Sequence, residues 1–151
     1  MGLTCTWRKR DVTMVTISRA PFPTLDAFKR RMGWTFTWLS SFRSDFNHDF
    51  HVTFTEEERK GDVDYNFGRR KFGASEAPGA SVFYRDGDGA VYHTYSCYAR
   101  GLDAMNGAYQ WLDLTPKGRD EGDLPSTMAW VRHHDKYDGR SAVGRVGSKS
   151  G

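Results

Sequence analysis

The chain has 151 residues, enough for one domain that buries roughly two-thirds of its unfolded surface on folding. Hydrophobic residues make up 38% and aromatic residues 15%, so it is globular rather than disordered, while a mean hydropathy of −0.70 says that much of it is solvated. The net charge of +3 comes from nearly balanced totals, 22 basic and 19 acidic, with the excess at the ends; this argues only weakly for polyanion contact and reads first as solubilising ends on a neutral body, so nucleic acid is not expected, and the lack of a long apolar run argues against membrane spanning.

Two cysteines, Cys5 and Cys97, are too few for a disulfide framework and have no metal-ligand spacing, so a reducing, cytoplasmic setting is expected. The β-branched run 12–18 reads as a strand buried on at least one face, stopped by Pro21, Phe22 and Pro23. Thr24 is then expected to cap a helix that turns Leu25, Phe28 and Met32 to one face and ends at Gly33. In 34–39, large rings alternate with threonines, as in a second strand. Ser44 is expected to cap a helical turn, and Thr55 with Glu58 forms a capping box for a short helix near 55–60.

Periodicity fades over 62–76, which reads as an irregular excursion carrying Tyr65, Phe67 and the basic run Arg69, Arg70, Lys71. A hairpin follows, with strands 81–84 and 90–96 flanking Asp86-Gly87-Asp88-Gly89, whose glycines supply the positive φ of a tight reversal. Leu102, Met105, Tyr109 and Leu112 recur at helical spacing and predict about three turns. Residues 1–10 read as a leader, 11–138 as the domain, and the Gly/Ser/Arg-rich end, 139–151, as a disordered tail.

This order of elements is that of the later part of a thioredoxin-like α/β domain. The motifs Ser18-Arg19-Ala20-Pro21, Phe28-Lys29-Arg30-Arg31-Met32-Gly33-Trp34, Ser40-Ser41-Phe42, Ser44-Asp45-Phe46-Asn47, Glu76-Ala77-Pro78-Gly79, Arg85-Asp86-Gly87-Asp88-Gly89, Tyr92-His93-Thr94-Tyr95-Ser96 and Asp113-Leu114-Thr115-Pro116 resemble the DUF899 family of thioredoxin-like proteins. The resemblance implies a thioredoxin-like mixed sheet, incomplete at its N-terminus, with a C-terminal antiparallel hairpin and helix. It also implies descent from a thiol-disulfide oxidoreductase whose upstream strand and Cys-Pro-x-Cys-type segment have no counterpart here. The expectation is therefore a truncated domain without redox activity, without a cofactor, and with an unpaired sheet edge that takes a protein partner or a second copy of the chain.

Within that resemblance Pro78 takes the role of the proline, often cis, beside which backbone groups pair with an extended substrate, making Ala77 and Pro78 the candidate substrate-binding residues. Cys97 reads as a small buried thiol, with only His93 near it in sequence as a base, and Cys5 as incidental. His48 and His51, with Asp45 and Asp49 nearby, have the spacing of a metal pair but lack an evident third ligand, so they read as surface residues, as do His133 and His134. Trp34, Phe36, Trp38, Phe42, Phe46 and Phe50 read as core first and ligand pocket second.

Overall fold

A computed structural model describes Trp7 and residues 9–137; the expected tail and most of the expected leader lie outside the described residues. Strand β1 (Val15–Ser18) leads through helix α1 (Phe22–Met32) to β2 (Thr37–Ser40), which pairs with it in parallel, Val15 opposite Thr37 and Ser18 opposite Ser40. The helix begins three residues earlier than the Thr24 cap predicts, with Pro21 at the cap and Phe22 as its first residue. Pro21 precedes it and Pro23 sits in its first turn, where the amide a proline lacks would have no helical acceptor. Gly33, at φ 63°, closes the other end: its amide donates to Arg30 O at 3.2 Å and that of Trp34 to Lys29 O at 3.0 Å.

Leu25 and Met32, two turns apart, are the residues α1 buries. The expectation of a buried first strand is corrected, because Val12, Met14 and Val15 are all more than 40% exposed.

Helices α2 (Phe46–Asp49) and α3 (Glu56–Lys60) are short. Asp45 stands at the α2 N-cap, while Ser44 donates instead to Ser41 O at 3.0 Å, which corrects the expected cap. The Thr55–Glu58 capping box forms as read. The segment expected to be irregular contains a tight hairpin, β3 (Val63–Tyr65) and β4 (Gly68–Arg70), turned by Asn66 and Phe67 at φ 54° and 58°. Three-residue strands are too short to show a period, and phenylalanine is not a residue that announces a left-handed turn.

Strands β5 (Gly79–Arg85) and β6 (Val91–Tyr98) form the long hairpin. Asp86 closes its turn, its carboxylate accepting from the amides of Asp88 and Ala90 while Gly89 adopts φ 88°. The register slips between Val82 and Phe83, leaving Thr94 as an extra residue in β6. The expected three-turn helix is divided into a 3-10 segment (Ala99–Met105) and α4 (Gly107–Leu112), with Asn106 outside helical geometry between them. Gly101, Asn106 and Gly107 carry too little helical preference to bridge the break.

The single mixed sheet expected is replaced among the described residues by three separate two-stranded sheets, one parallel and two antiparallel. The core lies between the two antiparallel sheets: Val52, Phe54, Val63, Tyr65 and Tyr98 are buried together, with Phe50, Phe72, Ala77 and Ala99 against them. The predicted aromatic stripe splits in two. Trp34, Phe36 and Trp38 gather on Phe28 of α1, whereas Phe46 and Phe50 turn toward Phe83 and His93 of the hairpin, and Phe42 is exposed.

Candidate functional site

Three of the sequence motifs meet where the parallel strands end, the end of an open α/β sheet at which ligands bind. Beyond the ladder, Ser41 N–H donates to Ser18 O at 3.0 Å, and Ser40 Oγ donates to Ala20 O at 2.7 Å. Trp38 Nε1 donates to Ser18 Oγ at 2.9 Å. Ser41 and Asn47 are both buried and satisfy one another, Ser41 Oγ donating to Asn47 Oδ1 at 2.6 Å, which fixes the start of α2 against the end of β2.

Arg19 reaches from the end of β1 to the segment before β5. Its guanidinium lies 3.3 Å from Glu76 Oε1, and the other Glu76 oxygen accepts from the buried Thr53 hydroxyl at 2.5 Å. Thr53 and Glu76 also face one another across an antiparallel bridge, with Phe54 N–H donating to Ser75 O and Ala77 N–H to Val52 O, each at 2.9 Å. Arg19 Nε is buried without a hydrogen-bond partner.

Pro78 follows directly. Its carbonyl accepts from the Tyr65 hydroxyl at 2.8 Å, and the same hydroxyl oxygen accepts from Ala99 N–H at 3.0 Å, so one tyrosine ties the entry of β5 to the exit of β6. The Ala77–Pro78 bond is trans, which corrects the cis expectation; no peptide bond among the described residues is cis. The antiparallel bridge to Thr53 holds this segment extended, and it already uses the Ala77 amide. The backbone left open is that of β5 itself, which pairs with β6 along one side only.

Gly79 permits the closest approach in the region. A Cβ there would lie 2.9 Å from Tyr98 Cε1 and 3.0 Å from Val52 Cγ1, so the strand can seat against the core only without a side chain.

The remaining sequence candidates fall apart in space or are engaged. Cys97 is a buried free thiol in register with Ala80. His93 Nε2 lies 2.7 Å from Ser96 Oγ, which in turn lies 2.7 Å from Ser81 Oγ, and the His93 ring packs on Phe50 and Phe83. The Tyr95 hydroxyl is pushed above its ordinary pKa, first by hydrogen bonding to Cys97. Among the described residues no three His, Cys, Asp or Glu side chains converge as a metal site would require, His48 and His51 included. Phe67 stands at a turn tip, 82% exposed, its ring centre 5.4 Å from that of Tyr98 in an edge-on arrangement.

Sequence reasoning missed the Arg19–Glu76 tie. Its only trace in the sequence is a pair of opposite charges 57 residues apart. The arrangement can hold backbone in register and offer an open strand edge; its hydroxyls are spent on internal bonds and its two charges on each other.

The family described as "Bacterial protein of unknown function (DUF899)" matches residues 2–137, and the chain belongs to it. That match begins inside the segment read as an unmatched leader. No curated protein and no solved structure matches the chain.

Proposed function

We propose that this member of the DUF899 family is a protein-binding domain of thioredoxin-like ancestry that receives an extended polypeptide segment on the outer edge of β5 and carries out no thiol redox chemistry with its described residues. The observation that carries the reading is the seven-residue strand Gly79–Arg85, paired on one side only. Natural edges are blunted by lysines, prolines or bulges. This strand has none of them, and its one charge, Arg85, stands at the turn, whereas the β6 edge is interrupted at Thr94. An added strand gains main-chain hydrogen bonds there, and Val82 and Tyr84 provide exposed apolar side chains for selectivity.

No large side chain among the described residues is buried below 2% exposure, as befits a core closed by a further segment. The redox half rests on Cys97, which is buried, and on His93, which is engaged with Ser96 rather than with the thiol. A reducing cytoplasm suits such a thiol.

Selection of displayed ten-residue peptides on the immobilised chain tests this. Of the neighbours Ala80 and Ser81, one amide faces β6 and the other the open edge. The reading expects selected peptides to lose binding to the outward-facing proline variant while the fold survives. Peptides that bind both proline variants undiminished would sink it, as would insulin reduction that disappears in Cys97→Ser.

A further inference from the structure

We propose that the loop 131–137 forms a binding site for a small doubly charged oxyanion of the phosphate class, separate from the β5 edge. An open cleft of about 370 Å³ is lined there by Val131, Arg132, His133 and Lys136, a volume suited to a small ligand. Three of its four lining residues carry nitrogen donors. The carboxylate within the loop, Asp135, is held by Arg31 of α1 at 3.2 Å, and neither Arg132 nor Lys136 pairs with a carboxylate among the described residues. Among the described residues the cleft therefore keeps positive charge that no carboxylate pairs.

The loop is built rather than draped. Lys136 N–H donates to His133 O at 2.8 Å, and Arg132 N–H to the Tyr137 hydroxyl at 2.8 Å, closing the segment on itself. Two contacts one helical turn apart on α1 then grip it. The His133 ring meets Phe28 edge-on at 5.1 Å, while Arg31 lies over the same phenylalanine at 4.5 Å and reaches Asp135. Fixing His133 and Asp135 in this way holds the loop whose Arg132, His133 and Lys136 line one cleft, so part of the ordering cost is met before a ligand arrives. A planar guanidinium offers paired donors to two oxygens of a tetrahedral anion, and the ammonium adds a point charge.

The test is an NMR titration of the His133 ring resonances with inorganic phosphate, sodium acetate and sodium chloride at matched ionic strength. Two charge-assisted hydrogen bonds predict a saturable phosphate response with a Kd on the order of 1 mM. Acetate should bind more weakly and chloride leave no saturable shift. Arg132→Ala with Lys136→Ala should weaken phosphate binding about tenfold or more. The ring-current shift that Phe28 imposes on His133 reports whether the loop stays docked, and Lys136→Gln alone serves where it does not. A non-saturating response, an equal response to chloride, or undiminished binding in a docked variant would overturn the proposal. Proline substitution in β5 leaves this titration unchanged, so it stands or falls apart from the strand reading.

Discussion

Gly79→Ala places one methyl group where the structure has room for none. The new Cβ would stand 2.9 Å and 3.0 Å from Cε1 and Cδ1 of Tyr98 and 3.0 Å from Val52 Cγ1. Neither neighbour yields easily, since both are buried and the Tyr98 ring is flanked edge-on by Tyr65 at 5.7 Å and Phe67 at 5.4 Å. Overpacking of this kind costs about 1–3 kcal/mol. Against it, any glycine-to-alanine change gains about 0.4–1 kcal/mol by restricting the unfolded chain. Gly73 isolates the difference: nothing lies within 4 Å of its virtual Cβ and its φ is not in the left-handed range, so Gly73→Ala keeps the gain without the clash. Urea unfolding followed by tryptophan fluorescence should place Gly79→Ala about 1–3 kcal/mol below Gly73→Ala. A gap under about 0.5 kcal/mol would refute the claim that β5 seats on Tyr98 by the absence of a side chain.

Phe67 at φ 58° pays for its left-handed backbone, so Phe67→Gly should be more stable than Phe67→Ala by about 1 kcal/mol in the same unfolding assay; the order of the two variants is the check. Arg119 donates to both Asp103 and Asp113 and thereby holds each carboxyl below its ordinary pKa, hydrogen bonding being the larger cause. The unfolded chain takes up protons at the ordinary value, about 3.9, before the folded chain does, so the stabilisation is complete above that pH and is lost as pH falls through the lowered folded values. Asp103→Asn with Asp113→Asn should accordingly flatten the acid limb of stability against pH and leave its slope near neutrality unchanged. Glu121 accepts from the Tyr109 hydroxyl, from Met128 N–H at 2.9 Å and from Trp130 Nε1 at 2.8 Å, and these bonds lower its pKa, that to Tyr109 first. Glu121→Ala should speed limited proteolysis between 122 and 137, whereas equal cleavage rates would remove its anchoring role.

Much of the fold was legible where one local rule decides. The β-branched run, the apolar face of α1 with its glycine stop, the Thr55–Glu58 box and the Asp-Gly reversal each announce themselves within a few residues, and each element is present. Boundaries and interruptions were not legible, because they turn on competing weak preferences. Pro23 reads as a stop yet fits the first helical turn, and a helix spaced through Leu102 and Leu112 breaks at Asn106. The β3–β4 hairpin was hidden by strands of three residues and by a phenylalanine in a conformation that glycine or asparagine favours. At the site, Pro78 and the hairpin stood out in the sequence, but their surroundings did not. Arg19 with Glu76, Thr53 with Glu76, and Tyr65 with Pro78 are long-range contacts that no spacing rule encodes.

Residue-resolved hydrogen exchange across Gly79–Arg85, with and without a selected peptide, tests the open edge most directly. The account predicts alternation in the free chain, with amides bonded to β6 protected and their neighbours exchanging freely, and protection of those neighbours once the peptide is bound. Uniform protection in the free chain, or peptide binding that leaves the outward amides exchanging as before, would contradict it.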